Sequence, residues 1–152
     1  MEQERKTDDI ELATFYIGDA LCGMDILKIQ EINKNMEITR VPNSPEYVLG
    51  VLNMRGRIVT IIDVGKKLGI KSTALSEKNR NIIVYSQNEY IGLRVDQVAE
   101  VAPAKWSEVL PPPSNVSGIQ GRFFEGVYKA KQGLIAILDI EEVIKVEDDE
   151  NA

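Results

Sequence analysis

The chain has 152 residues, 43% of them apolar and 28% charged, with a net charge of −6, one cysteine and no histidine. That is the length of one ordinary domain or of two very small ones sharing a core, with a globular composition. Without histidine there can be no Cys/His zinc site, no Ser-His-Asp or Cys-His nucleophile and no phosphohistidine, and a lone Cys22 cannot form an internal disulfide.

Much of the acidity lies at the two ends, in Glu2, Glu4, Asp8, Asp9 and Glu11 and again in Glu147, Asp148, Asp149 and Glu150. The body between is close to neutral and has no basic stripe, so nucleic acid is not an expected partner. No apolar run approaches the ~20 residues of a membrane span, and "MEQERKTDD" lacks the apolar core of a signal peptide. The expectation is a cytoplasmic protein without membrane insertion, with flexible tails at 1–9 and 147–152 around a domain at 10–146.

Short β-branched segments ended by Gly, Asn or Asp predict strands. Residues 12–17 and 21–26 straddle a Gly18-Asp19 turn as a first hairpin. Ile26, Ile29 and Ile32 follow as an apolar row. In "SPEYVLG", Ser44 is placed as an N-cap, Pro45 at the first helical position and Gly50 as the stop, giving one helical turn before a strand at 51. Gly56 marks a tight hairpin inside "NMRGRIV". Asp63 caps a short helix whose Val64 and Leu68 face inward at i, i+4. A further hairpin pairs 82–86 with 90–95 around Gln87 to Glu89. "APAKWSEVLPPPSNVSGIQGRF" reads as a loop in which Trp106 and the prolines close over the core, with Phe123 and Phe124 as packing residues. Asp139 caps a last short helix carrying Ile140 and Ile144.

The chain repeats itself. Gly50, Val51, Ile61 and Asp63 recur 76 positions later as Gly126, Val127, Ile137 and Asp139. An earlier block recurs at an offset of 69: Tyr16 with Tyr85, Gly23 with Gly92, Ile29 with Val98, Glu31 with Glu100 and Ile32 with Val101. Several short strands in each copy of about seventy residues suit two small barrels better than one sandwich. They are expected over roughly 12–75 and 80–146, with exchange of terminal strands an open alternative. Neither would bury enough surface alone, so an apolar seam between them is expected. "GRIVTIID" is no phosphate loop and "GVLNMRG" lacks the dinucleotide spacing. No cofactor or metal is expected. A β-barrel ligand-binding module, or an enzyme subunit with no visible site, stays open beside an interaction module.

"GMDILKIQEI", "VPNSPEYVLGVLNMRGRIVTIIDVGKKLG", "GLRVDQVAEV" and "LIAILDIEEVI" together closely resemble the CheW chemotaxis coupling proteins from about residue 10 to 146. Met54 departs from the more usual leucine, a volume-conserving change. The resemblance implies a mainly β fold of two SH3-like five-stranded antiparallel barrels with short helices. It also implies no catalysis, and an adaptor role between chemoreceptor cytoplasmic tips and the regulatory domain of the histidine kinase CheA. At this length, no kinase or receiver domain of the kind fused to related double barrels is expected. The resemblance further implies that Arg55 is functional and lies close to Glu31. We expect them to pair in a bidentate geometry that Lys131, the equivalent of Arg55 in the second copy, cannot reproduce. Ile26, Ile29, Ile32, Val98 and Val101 are the expected receptor-facing apolar residues. Val41 and Pro42 are the expected edge for the kinase.

Overall fold

The computed structural model describes residues 8–34, 37–70 and 75–145. The expected tails therefore lie outside the described residues apart from Asp8 and Asp9. Asp9 opens the first strand, and the Asp8 carboxylate accepts hydrogen bonds from the Ser107 amide and hydroxyl at 2.9 and 2.5 Å.

Strands β1 (Asp9–Ile17) and β2 (Ala20–Asp25) form the first hairpin, turning at Gly18-Asp19. Asp25 then caps a 3₁₀ turn over Ile26–Lys28 that leads into β3 (Ile29–Asn33). Next come β4 (Val48–Met54) and β5 (Arg57–Asp63), joined through Arg55 and Gly56. Both linking residues have positive φ, 52° and 84°, the mirror-image turn whose twist matches that of the strands it joins. Helix α1 (Val64–Lys67) follows, then β6 (Arg80–Ser86) and β7 (Glu89–Val95) around a similar turn at Gln87-Asn88. The last third holds β8 (Gln97–Lys105), the two-residue strands β9 (Asn115–Val116) and β10 (Ile119–Gln120), β11 (Phe124–Ala130), β12 (Gly133–Leu138) and α2 (Ile140–Ile144). Asp63 and Asp139 cap α1 and α2 as expected, accepting from the amides of Lys66 and Glu142 at 3.1 and 3.2 Å.

Two local expectations are corrected. Ser44 is not a helix N-cap: its hydroxyl donates backward to the Val41 carbonyl at 2.8 Å, and a turn closed by Val48 N–H on Pro45 C=O replaces the helical turn. Strand β4 starts at once from that turn, at Val48 rather than 51. The proline-rich segment is more than a loop, because Ser117 and Gly118, both at positive φ, fold β9 and β10 into a small hairpin. Fully buried Ile119 pins that hairpin to the core. Phe123 and Phe124 are buried there too.

The strands make two five-stranded sheets, ordered β11-β12-β2-β1-β8 and β4-β5-β7-β6-β3. Each sheet takes its central hairpin from one copy of the repeat and its other three strands from the other copy. The duplication is visible pair by pair. Gly23 lies parallel to Ile137 in one sheet, and Gly92 lies parallel to Ile61 in the other. Those parallel contacts join the two copies; the remaining neighbours within each sheet are antiparallel. Beyond β3, Thr39 exchanges two 2.8 Å backbone hydrogen bonds with Val51 of β4, and beyond β8, Leu110 exchanges two of 2.9 Å with Val127 of β11. Both approaches require a glycine. A Cβ on Gly50 would collide with the Thr39 carbonyl, and one on Gly126 would stand 2.5 Å from the Leu110 carbonyl.

The apolar seam is the largest core cluster. It gathers Phe15, Cys22 and Met24 with Ile62, Ile82, Val84, Leu93, Phe124 and Leu138, drawn from both sheets. Smaller clusters line each sheet's other face: Leu12, Ala102, Ile135 and Ile137 on one, Leu52, Val59, Ile61 and Ile83 on the other. Burial in the seam pushes the Cys22 thiol up to about 12, which makes it an inert core residue.

Candidate partner-binding surface

Arg55 and Glu31 meet. Nη2 of Arg55 lies 2.5 Å from Oε1 of Glu31, joining the β4–β5 turn to β3 at an exposed edge. The expected bidentate geometry is corrected, because the second carboxylate oxygen is taken from the other side. Glu31 Oε2 accepts from Asn33 Nδ2 at 3.3 Å. The Arg55 hydrogen bond, then that from Asn33, hold the Glu31 carboxyl below its ordinary value, and the pairing raises the Arg55 guanidinium. The turn fixes where Arg55 starts from, since Asn53 Oδ1 accepts from the Gly56 amide at 2.9 Å.

Behind Asn33 the chain of hydrogen bonds continues into the core. Asn33 Oδ1 accepts from Asn81 Nδ2 at 3.1 Å, and Asn81 Oδ1 accepts from Arg94 Nε at 2.7 Å. Arg94 is only 5% exposed and Asn81 is fully buried. Burial lowers the Arg94 guanidinium from its usual value, while the Asp63 carboxylate opposes that shift. The sheet register explains the row, because Asn33 pairs with Asn81, Asn81 with Arg94, and Arg94 with Asp63.

The expected apolar row is partly corrected. Ile26 opens the 3₁₀ turn and is not on the strand. Residues three apart on a regular strand face opposite ways, yet Ile29 and Ile32 pair with Val84 and Ile82, which share a face. A β-bulge between Ile29 and Glu31 supplies the extra residue that turns Ile32 back. The second copy does the same: Val98 and Val101 pair with Phe15 and Ala13 across a matching register shift. Ile29 and Val98 pack on the seam, while Ile32 and Val101, on the same faces, are 41% and 48% exposed. Both copies therefore carry one apolar residue on the shared core and a second, exposed one on the same strand face.

Val41 and Pro42 are exposed in the turn between the Thr39 bridge and β4. Beside them a cleft of about 670 Å³ is lined by Ile38, Thr39, Val51, Leu52 and Ile58, and Val41 and Pro42 are not in its wall. Sequence reading passed over Asn33 and Asn81. The signal was present: the repeat sets them against Ala102 and Leu12, so one copy is polar where the other is apolar.

A CheW-like domain model matches residues 11–148. The chain is 32% identical to the chemotaxis protein CheW of Helicobacter pylori over 95% of this chain and 87% of that protein. It is 31% identical to the chemotaxis protein CheW of Thermotoga maritima over 90% and 89%. Among solved structures it resembles the scaffolding protein TtCheW of Thermoanaerobacter tengcongensis, with a TM-score of 0.83 and 33% identity over 91% of this chain and 94% of that one. An exchanged pair of five-stranded sheets, the repeated bulges and these likenesses agree: the chain belongs to the CheW family of chemotaxis coupling proteins, which are scaffolds and not enzymes.

Proposed function

We propose that this chain is a cytoplasmic adaptor that couples chemoreceptor tips to the histidine kinase CheA, recruited to receptor arrays at the inner face of the membrane. In this reading residues 10–146 act as one coupling domain of two subdomains. Receptor tips are helical in the family it belongs to, and a helix needs an apolar strip with polar anchors beside it. The observation that carries the reading is that Ile29 and Val98 both pack on one seam, each followed across a β-bulge by an exposed apolar residue, Ile32 and Val101. Ile26 extends that surface, and Glu31 with Arg55 supplies the polar anchor. Val41 and Pro42 form the edge offered to the regulatory domain of the kinase. No helix among the described residues is long and apolar enough to cross a membrane, which fits recruitment through partners.

The test is a reconstitution with a receptor signalling-tip fragment and CheA, scoring binding to each and receptor-dependent kinase activity. Binding to both, with receptor control that requires this chain, is expected. Failure to bind either partner overturns the reading.

A further inference from the structure

A buried polar row in a small β protein needs a reason, because an apolar row of the same shape is at least as stabilising. The reason cannot be the fold. In the other sheet the same positions hold Ala102 and Leu12, paired in the same register, and Asp25 stands where Arg94 does. Leu12 and Ala102 are simply core there. The sheet that carries Arg55 and Glu31 is the one that keeps the amides.

The direction of the hydrogen bonds tells what the row does. A guanidinium only donates, so Arg94 Nε fixes Asn81 with its oxygen inward. That leaves the Asn81 amide nitrogen to donate to Asn33, and the Asn33 nitrogen to donate to Glu31. Each amide is oriented by the one beneath it, and the chain ends on the carboxylate oxygen that Arg55 does not hold. At the buried end Arg94 is set beside Asp63 across the parallel β5–β7 pair, and that carboxylate opposes the lowering of its guanidinium.

We propose that Arg94, Asn81 and Asn33 are positioning residues that orient the Glu31 carboxylate toward Arg55, fixing the polar anchor presented to the receptor tip. The inference rests on the adaptor reading for what Glu31 is positioned to meet. It does not rest on it for the positioning itself. Mutual polarisation along such a chain strengthens each link, so a break at the buried end is felt at the surface.

Asn81→Asp is the decisive variant. It is isosteric and still accepts from Arg94, but it has no donor for Asn33, whose amide must then turn its nitrogen inward and its oxygen toward Glu31. Asn33→Ala removes the last link at the half-buried end and serves if Asn81→Asp does not fold. The Glu31 carboxyl is titrated by NMR in the wild type and both variants. Affinity is measured for a receptor-tip fragment and for the kinase regulatory domain, each also in a Glu31→Gln background. We expect Glu31 to titrate at higher pH in both variants. Receptor-tip affinity should fall about tenfold, with kinase-domain affinity unchanged and no further loss in the Glu31→Gln background. An unmoved Glu31 titration overturns the inference, as does an affinity loss that persists in full without Glu31. If the wild type binds no receptor tip, the adaptor reading fails, and the Glu31 titration alone then decides the positioning.

Discussion

Arg55 reaches Glu31 with one guanidinium nitrogen, and the other carboxylate oxygen belongs to Asn33. That division changes what substitution should do. A two-pronged pair cannot be mimicked by lysine, whereas a single contact at an exposed edge can be mimicked in part. Arg55→Lys should therefore keep intermediate receptor-tip binding, and Arg55→Ala should lose most of it. An exposed pair contributes little to folding, so both variants should melt within a few degrees of the wild type. Calorimetry and tip-binding assays check this, and an Arg55→Ala protein that binds normally would remove the residue from the interface.

The two glycines that admit the Thr39 and Leu110 bridges should be among the most sensitive positions in the fold. Gly50→Ala combines a collision with backbone and a φ of 147° that side chains avoid, and Gly126→Ala meets the Leu110 carbonyl and Val109. Each should cost on the order of 3 kcal/mol. Gly56→Ala, at φ 84° with no neighbour within reach, should cost only about 1 kcal/mol. Urea unfolding of the three variants gives the ranking.

Separately expressed fragments ending and starting near residue 75 should each fail to fold, because each would hold one hairpin without its sheet and three strands without their centre. Mixed, they should recover the native circular dichroism spectrum. A fragment that folds cooperatively by itself would contradict the exchange of hairpins.

Cys22 supplies a pH dependence of known sign. Its folded value of about 12 lies above the ordinary 9.0. Stability from the neutral thiol is complete below pH 9 and is lost as pH rises toward 12, where the unfolded chain ionises first. Wild type should lose more stability than Cys22→Ala between pH 8 and 11. At pH 8 roughly one folded thiol in ten thousand is ionised, so alkylating reagents should label Cys22 only at the rate of opening.

The hairpin turns at Gly18-Asp19, Arg55-Gly56 and Gln87-Asn88, and the caps at Asp63 and Asp139, rest on local chemistry and were readable in the sequence. So was the repeat, since Gly50 and Gly126 do the same steric task. The exchange of hairpins stood only as an open alternative, because matching offsets say which strands are equivalent and nothing about which copy each one joins. The bulges were hidden for a related reason. An i, i+3 spacing such as Ile29 and Ile32 reads as helical until a register shift makes it strand-compatible. Ser44 misled because its hydroxyl can serve a turn behind it as readily as a helix ahead.

The exchange has a consequence for how the two copies could come to differ. A lone copy of about seventy residues could satisfy these pairings only by lending its hairpin to a twin and borrowing the twin's in return, a two-fold dimer in which every residue occurs at both symmetric places. Any buried amide would then be imposed twice. Joining the copies in one chain ends that obligation: the positions of Leu12 and Ala102 are free to become ordinary core while those of Asn81 and Asn33 stay polar. The near-symmetry of the backbone and the asymmetry of its chemistry are thus compatible because a single polypeptide plays both partners.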